Sequence, residues 1–175
     1  MMKHSFSFCG VDMRKEFGLI LEEPFDDGTQ PELRERKLVV PMRDGAYDYG
    51  AKWYEERTVL VKCASILLLT RNDVRRLALA LSAKGELRSW YEPEKYYIGR
   101  MYEGAQIERI VGAAKRFQLE FICEPFAYGE QITETFTGQK EMTYAGSART
   151  PAHIIITNRG STAVNGLTVT MKERI

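Results

Sequence analysis

A chain of 175 residues has the length of one full domain, or of one domain with a short appendage, and can bury a core of its own. Hydrophobic residues make up 44% and charged residues 28%, the balance of a globular protein and not of a disordered one. The 25 Lys and Arg face 24 Asp and Glu, a formal charge of +1 with signs alternating along the chain, which excludes a strongly basic nucleic-acid grip.

In chain order, Met1–Phe8 lacks the continuous apolar stretch of a signal peptide, so the expectation is a soluble protein made in a reducing cytosol. Leu21–Arg36 carries Glu22, Glu23, Asp26, Asp27 and two prolines without a period, and reads as an exposed loop or extended arm. Lys37–Val40 is a candidate strand. Thr58–Cys63 is another, β-branched, with Val59, Val61 and Cys63 on one face. Ile66–Leu69 is the longest apolar run, far too short to cross a bilayer.

The next element is a helix over about Arg71–Lys84. Thr70 caps it, with Asp73 as the reciprocal partner of a capping box, and Gly85 is placed to end it in a left-handed cap. Val74, Leu77, Ala78 and Leu81 fall on one stripe, which predicts packing on a sheet. Glu86–Tyr91, Tyr96–Tyr102 and Gln106–Val111 are further strands. The clearest alternation is Arg116–Cys123, where Phe117, Leu119, Phe121 and Cys123 point one way and Arg116, Gln118 and Glu120 the other. After Tyr128 the composition shifts to Thr, Gly and Ser. Pro151 marks a boundary, and strand-like pieces follow at His153–Thr157 and Leu167–Lys172. The fold class is therefore mainly β with one α-helix: a β-sandwich-type domain over residues 1–150, then the first strands of a second β-domain over 151–175.

Residues that carry chemistry are sparse. Gly45–Trp53 superficially matches a phosphate-binding loop, but its Lys52 is displaced, no hydroxyl residue follows, and strand signals come next where a helix is needed. His4 and His153 lie in no ligand-spaced cluster, and Cys9, Cys63 and Cys123 are spaced for no metal site and read as small buried hydrophobes. Acidic pairs at Asp26–Asp27, Asp44 with Asp48, and Glu55–Glu56 are the remaining enzymatic option, since glycoside hydrolysis needs two carboxyl groups at a set separation. Solvated loop acids are the plainer account, and no catalytic residue, cofactor or metal ligand is assigned. Trp53, Tyr54, Trp90, Tyr91, Tyr96, Tyr97 and Tyr102 suit a contact surface or a sugar platform, with about half expected in the core.

Several of these pieces together resemble the siphophage distal tail proteins. Phe6–Gly10 followed by Phe17-Gly18-Leu19 is similar to the family's opening strand, and Val40-Pro41-Met42-Arg43-Asp44-Gly45 with Tyr47 to its short "v-p-G-r-d-G-y" element, Met42 replacing the first glycine. Tyr54–Val59, Tyr96–Arg100 and Phe117–Tyr128 follow in the family's order, so that the resemblance spans most of residues 1–150. It implies a non-enzymatic virion component at the tail tip. Its hexameric ring joins the tail tube to the tail-associated, receptor-binding proteins and lets DNA pass through the lumen without sequence-specific contact. It also implies an arm reaching onto a neighbouring subunit, here assigned to about residues 21–36. Glu22, Glu23, Asp26, Asp27, Arg43, Asp44, Tyr47 and Tyr49 are the candidate interface residues. A second, galectin-like domain is common in the family; this chain would hold only its first strands, as a truncated or short form. The alternatives are a carbohydrate-binding β-sandwich, or a tail-tip glycoside hydrolase.

Overall fold

In the computed structural model the described residues are 4–28, 30–35, 37–50, 53–104, 106–109, 115–138, 140–144, 146–148, 150–166 and 168–170. They divide into two compact units, Met1–Thr135 and Phe136–Ile175.

The first unit is built on two long strands. β1 (Phe6–Phe8), β2 (Val11–Asp12), α1 (Met13–Phe17), β3 (Leu19–Leu21), β4 (Lys37–Val39) and β5 (Ala46–Asp48) lead to β6 (Arg57–Ser65). α2 (Arg71–Ala80), β7 (Gly85–Ser89), β8 (Lys95–Arg100) and β9 (Gln106–Arg109) precede β10 (Lys115–Cys123), and β11 (Tyr128–Gly129) closes the unit. β6 and β10 pair antiparallel in a register that sets Phe117 against Cys63, Leu119 against Val61 and Phe121 against Val59. The inward residues of one strand thus meet the inward residues of the other, and all six are essentially buried. The alternation read in both strands is borne out.

These strands belong to one nine-stranded sheet in the order β2-β1-β7-β8-β10-β6-β3, with β9 and β11 as side branches. Its two ends meet. The Leu21 N–H donates to the His4 carbonyl at 2.9 Å, and the Ser5 hydroxyl donates to the Leu19 carbonyl at 2.7 Å. Phe8 of β1 packs on Phe121 of β10 with ring centroids 5.0 Å apart, although β7 and β8 lie between those strands in the sheet. A curled sheet therefore encloses the core, and its facing layers are parts of the same sheet.

α2 begins where expected. The Thr70 hydroxyl accepts from the Asp73 N–H at 3.2 Å and the Asp73 carboxylate accepts from the Thr70 N–H at 2.9 Å, completing the capping box. The helix stops at Ala80, not Lys84: Leu81 is its cap in right-handed geometry, and Gly85 opens β7 instead of ending the helix. Leu77 and Leu81 enter the core, with Val74 partly buried, while Ala78 is exposed, so the apolar stripe is narrower than predicted.

A second helix, α1, escaped the sequence reading. Asp12 caps it by accepting from the N–H groups of Arg14 and Lys15, and Gly18 closes it at φ 64°. With five residues it shows no usable period, and Phe17-Gly18-Leu19 looked like strand. Glycine is needed at 18 twice over, for the left-handed backbone and because a Cβ there would lie 2.4 Å from Leu67 Cγ.

Among its described residues the second unit has no helix or strand. His153–Thr157, expected as a strand, makes no ladder, and Ile154, Ile155 and Ile156 are exposed; β-branched residues form a strand only where a second strand takes up their backbone groups. The predicted Leu167–Lys172 piece lies partly outside the described residues.

Candidate functional site

The feature that stands apart from the curled sheet is an excursion between β3 and β6. Its approach is tied to the domain. The Glu22 N–H donates to the Lys62 carbonyl at 3.0 Å, and Asp26 and Leu60 exchange backbone bonds at 3.0 and 2.9 Å. Phe25 is buried, and its N–H donates to the Tyr91 hydroxyl at 2.8 Å. The acidic side chains follow the same course: Glu22 pairs with Arg116 at 2.6 Å, Glu23 with Lys62 at 2.6 Å, and Asp27 accepts a short hydrogen bond from Tyr97, whose hydroxyl also meets Arg57. Burial first, and then the bond to the Asp27 carboxylate, push the Tyr97 hydroxyl far above its usual range.

The acidic stretch is therefore no free arm. This stretch lies along the edge of its own sheet, where the Glu22, Glu23 and Asp27 side chains and the Asp26 backbone find partners within the chain. A lack of periodicity revealed a segment without regular structure; it did not reveal that such a segment can lie flat on a strand edge.

Beyond this stretch the two legs of the excursion are zipped together. The Arg34 N–H donates to the Trp53 carbonyl at 2.7 Å and the Glu55 N–H to the Glu32 carbonyl at 2.8 Å. Arg34 grips Glu55 with two nitrogens at 2.7 and 3.1 Å, and that hydrogen bonding holds the Glu55 carboxyl below its usual range. Past this zip stands a hairpin, a two-stranded sheet of β4 and β5 with Leu38 opposite Tyr47 and Val39 opposite Ala46.

A free-standing two-stranded sheet buries little, and this one exposes Leu38 and Tyr47 on one face and Val39 on the other, beside Lys37. Leu38 is 50% exposed, Val39 75%, and Met42 at the tip fully so. Tyr47 packs edge-on against Tyr49 with centroids 4.9 Å apart, and Arg43 lies over the Tyr47 ring at 5.8 Å. Of the predicted interface residues, Arg43, Asp44, Tyr47 and Tyr49 are gathered here, at the tip, on β5 and just after it.

The tip explains the sequence element around it. The Arg43 N–H closes a turn onto the Val40 carbonyl at 3.3 Å, with Pro41 and Met42 at its centre. Pro41 suits the first central position, whereas Met42 holds φ 65° and Gly45 φ 76°. Met42 thus occupies a left-handed position that favours glycine, at a cost of about 1 kcal/mol. The phosphate-loop reading of Gly45–Trp53 is excluded at its start, since Ala46–Asp48 is a strand.

Elsewhere the aromatic cluster differs from expectation. None of Trp53, Tyr54, Trp90, Tyr91, Tyr96, Tyr97 or Tyr102 is fully buried; the core aromatics are Phe6, Phe8, Phe17, Phe25, Phe117 and Phe121. The phenylalanines have no polar atom to satisfy, whereas Tyr and Trp keep theirs at the edge. Cys63 and Cys123 are buried and their thiols pushed up to about 12 by that burial, but Cys9 is exposed, contrary to expectation. It sits at φ 50° in the turn between β1 and β2, where its side chain leaves the core face. No group of His, Cys, Asp and Glu close enough to hold a metal occurs among the described residues, and no helix among them is long and apolar enough to cross a membrane.

The molecule thus defines a class: a mainly β domain with a curled antiparallel sheet, two short helices and a projecting apolar hairpin. No protein-family model matches the chain, and no curated protein matches it. Among solved structures its fold is like that of the SPP1 Dit (gp 19.1) protein, described as a paradigm of the hub adsorption apparatus in phages that infect Gram-positive bacteria. The likeness has a TM-score of 0.57 at 21% identity and covers 72% of this chain, which spans about half of that one (52%).

Proposed function

We propose that this chain is a structural subunit of a siphophage tail tip, a hub of the distal tail type that works by assembly and not by catalysis. The observation that carries the reading is the apolar hairpin of β4 and β5, exposed on both faces, on a domain whose fold is like that of a phage hub protein. Contiguous exposed apolar residues of this kind, Leu38, Val39, Met42, Tyr47 and Tyr49, are a surface suited to being covered by a partner. Head-to-tail contacts between copies close into a ring when the rotation permits.

In this reading the ring is hexameric, sits in the virion between the tail tube and the receptor-binding proteins, and passes DNA through its lumen without reading sequence. A formal charge of +1 neither repels copies nor grips the duplex. The arm is the hairpin and not the acidic stretch before it. No cofactor or metal takes part, and no hydrolysis is expected: Glu55 is engaged by Arg34 and Asp27 by Tyr97, so of the three acidic pairs Asp26–Asp27 and Glu55–Glu56 each have one carboxylate already committed.

Native mass spectrometry with negative-stain imaging tests this reading. Closed rings of six copies with a central hole are expected. A protein that stays monomeric at high concentration and low salt, or that releases reducing sugar from purified cell wall, contradicts it.

A further inference from the structure

β6 begins with a charge on the face where its later residues are core. Arg57 stands two residues before Val59 and opposite Cys123 in the register, so it shares the inward face of Val59, Val61 and Cys63. Its Nη1 donates to the Tyr97 hydroxyl at 3.1 Å, and its guanidinium carbon lies 5.5 Å from the centre of that ring. Its Nε and Nη2 are closed to solvent and meet no hydrogen-bond partner among the described residues. Two buried N–H donors of a guanidinium left unmet are costly.

Those two atoms form the side-on fork that fits a carboxylate. The chain fills the same fork elsewhere. Arg34 sets Nε and Nη2 on Glu55 at 2.7 and 3.1 Å, and Arg88 sets them on Glu86 at 3.1 and 3.0 Å. For Arg57 one carboxylate stands a single hydroxyl away: Asp27, half-buried, accepts from the Tyr97 hydroxyl that Arg57 Nη1 contacts. The other nearby acids are engaged or turned outward. Glu55 is held by Arg34, Glu124 by Lys84 and Tyr128, and Glu56 is exposed.

We propose that Asp27, Tyr97 and Arg57 form a clasp across the two roots of the β3–β6 excursion, with two closed positions. In the bridged position, the one in this structure, the Tyr97 hydroxyl stands between carboxylate and guanidinium. In the direct position the Asp27 carboxylate grips Nε and Nη2 of Arg57. Asp27 is on the outgoing leg, just past the backbone pair of Asp26 and Leu60. Arg57 is on the return leg, two residues past Glu55, whose N–H is bonded to Glu32. Tyr97 belongs to neither leg and packs against the core from β8. The clasp therefore sets, from the body of the sheet, the direction in which the excursion leaves it. Gly28 follows Asp27 at φ 65° with open space around it, which gives the carboxylate freedom to change position. The device lies within one copy of the chain, and it holds or fails whether or not copies close into a ring.

Amide hydrogen exchange on the whole chain tests the clasp. The Asp26 and Leu60 N–H groups report opening at the root, and the amides of β10 report the core. Asp27→Ala removes both positions and should speed exchange at Asp26 and Leu60 by at least about tenfold, with β10 unchanged. Tyr97→Phe keeps the ring and removes only the bridge, so exchange there should rise by less than about threefold as Asp27 takes the fork. Adding Arg57→Lys to Tyr97→Phe keeps the charge but removes the fork, and should bring the loss to that of Asp27→Ala. A crystal structure of the Tyr97→Phe protein should show the Asp27 carboxylate on Nε and Nη2 of Arg57. Asp27→Ala exchanging like the wild type would show that no clasp holds the root. Tyr97→Phe opening the root as far as Asp27→Ala would show that there is no direct position. Either result overturns the proposal.

Discussion

β10 and the β4–β5 hairpin are both made of β-formers in antiparallel pairs, and they end in opposite environments. On β10 Phe117, Leu119, Phe121 and Cys123 are buried while Arg116, Gln118 and Glu120 are exposed, because β6 supplies a matching row and the curled sheet closes over it. On the hairpin Leu38, Val39 and Tyr47 have no layer on either side. The strand pattern alone is common to both; what differs is whether the chain itself supplies the covering layer. One region carries the core of the domain, and the other, in the proposed function, carries the surface offered to a partner.

That division makes predictions of graded size. Phe121→Ala removes a buried ring that packs on Phe8 and should cost about 3–5 kcal/mol, read as a large fall in the denaturation midpoint. Leu77→Asp puts an unpaired charge into the same core and should cost roughly 3 kcal/mol, whereas Arg75→Ala on the exposed side of α2 should cost less than about 0.5 kcal/mol. Two variants that melt together would show that α2 does not pack as described. Gly18→Ala should cost about 1–2 kcal/mol through its left-handed backbone and its contact with Leu67, again by denaturation.

Val39→Asp on the hairpin should leave the melting temperature within experimental error of wild type while weakening assembly. A large loss of stability there would erase the contrast between the two regions. The cysteines give a smaller check on the same boundary. A thiol reagent should modify Cys9 in the native protein and reach Cys63 and Cys123 only on unfolding, since Cys9 is exposed and the other two are buried.

Much of the core was legible because period-two alternation in Arg116–Cys123 and Thr58–Cys63 reports burial directly, and the Thr70 and Asp73 pair reports a helix start through a local bond. Three things were not legible, each for a reason of range or length. α1 is too short for a period. The acidic stretch is held by Lys62, Arg116 and Tyr97, partners far away in the chain. The aromatic residues divide between core and surface according to hydroxyl and indole groups that need an edge, which a count of aromatics does not register. Of the candidate interface, Arg43, Asp44 and Tyr47 belong to the one short element that carries the resemblance, and they lie together on the hairpin, with Tyr49 just after β5 packed on Tyr47.

The most direct test of the central claim is the native mass of the wild-type protein beside that of a variant in which Leu38–Tyr47 is replaced by a short Gly-Ser turn. The account predicts a closed hexamer for the wild type and a folded monomer with the same core stability for the variant. A monomeric wild type, or a variant that assembles as well as the wild type, would contradict it.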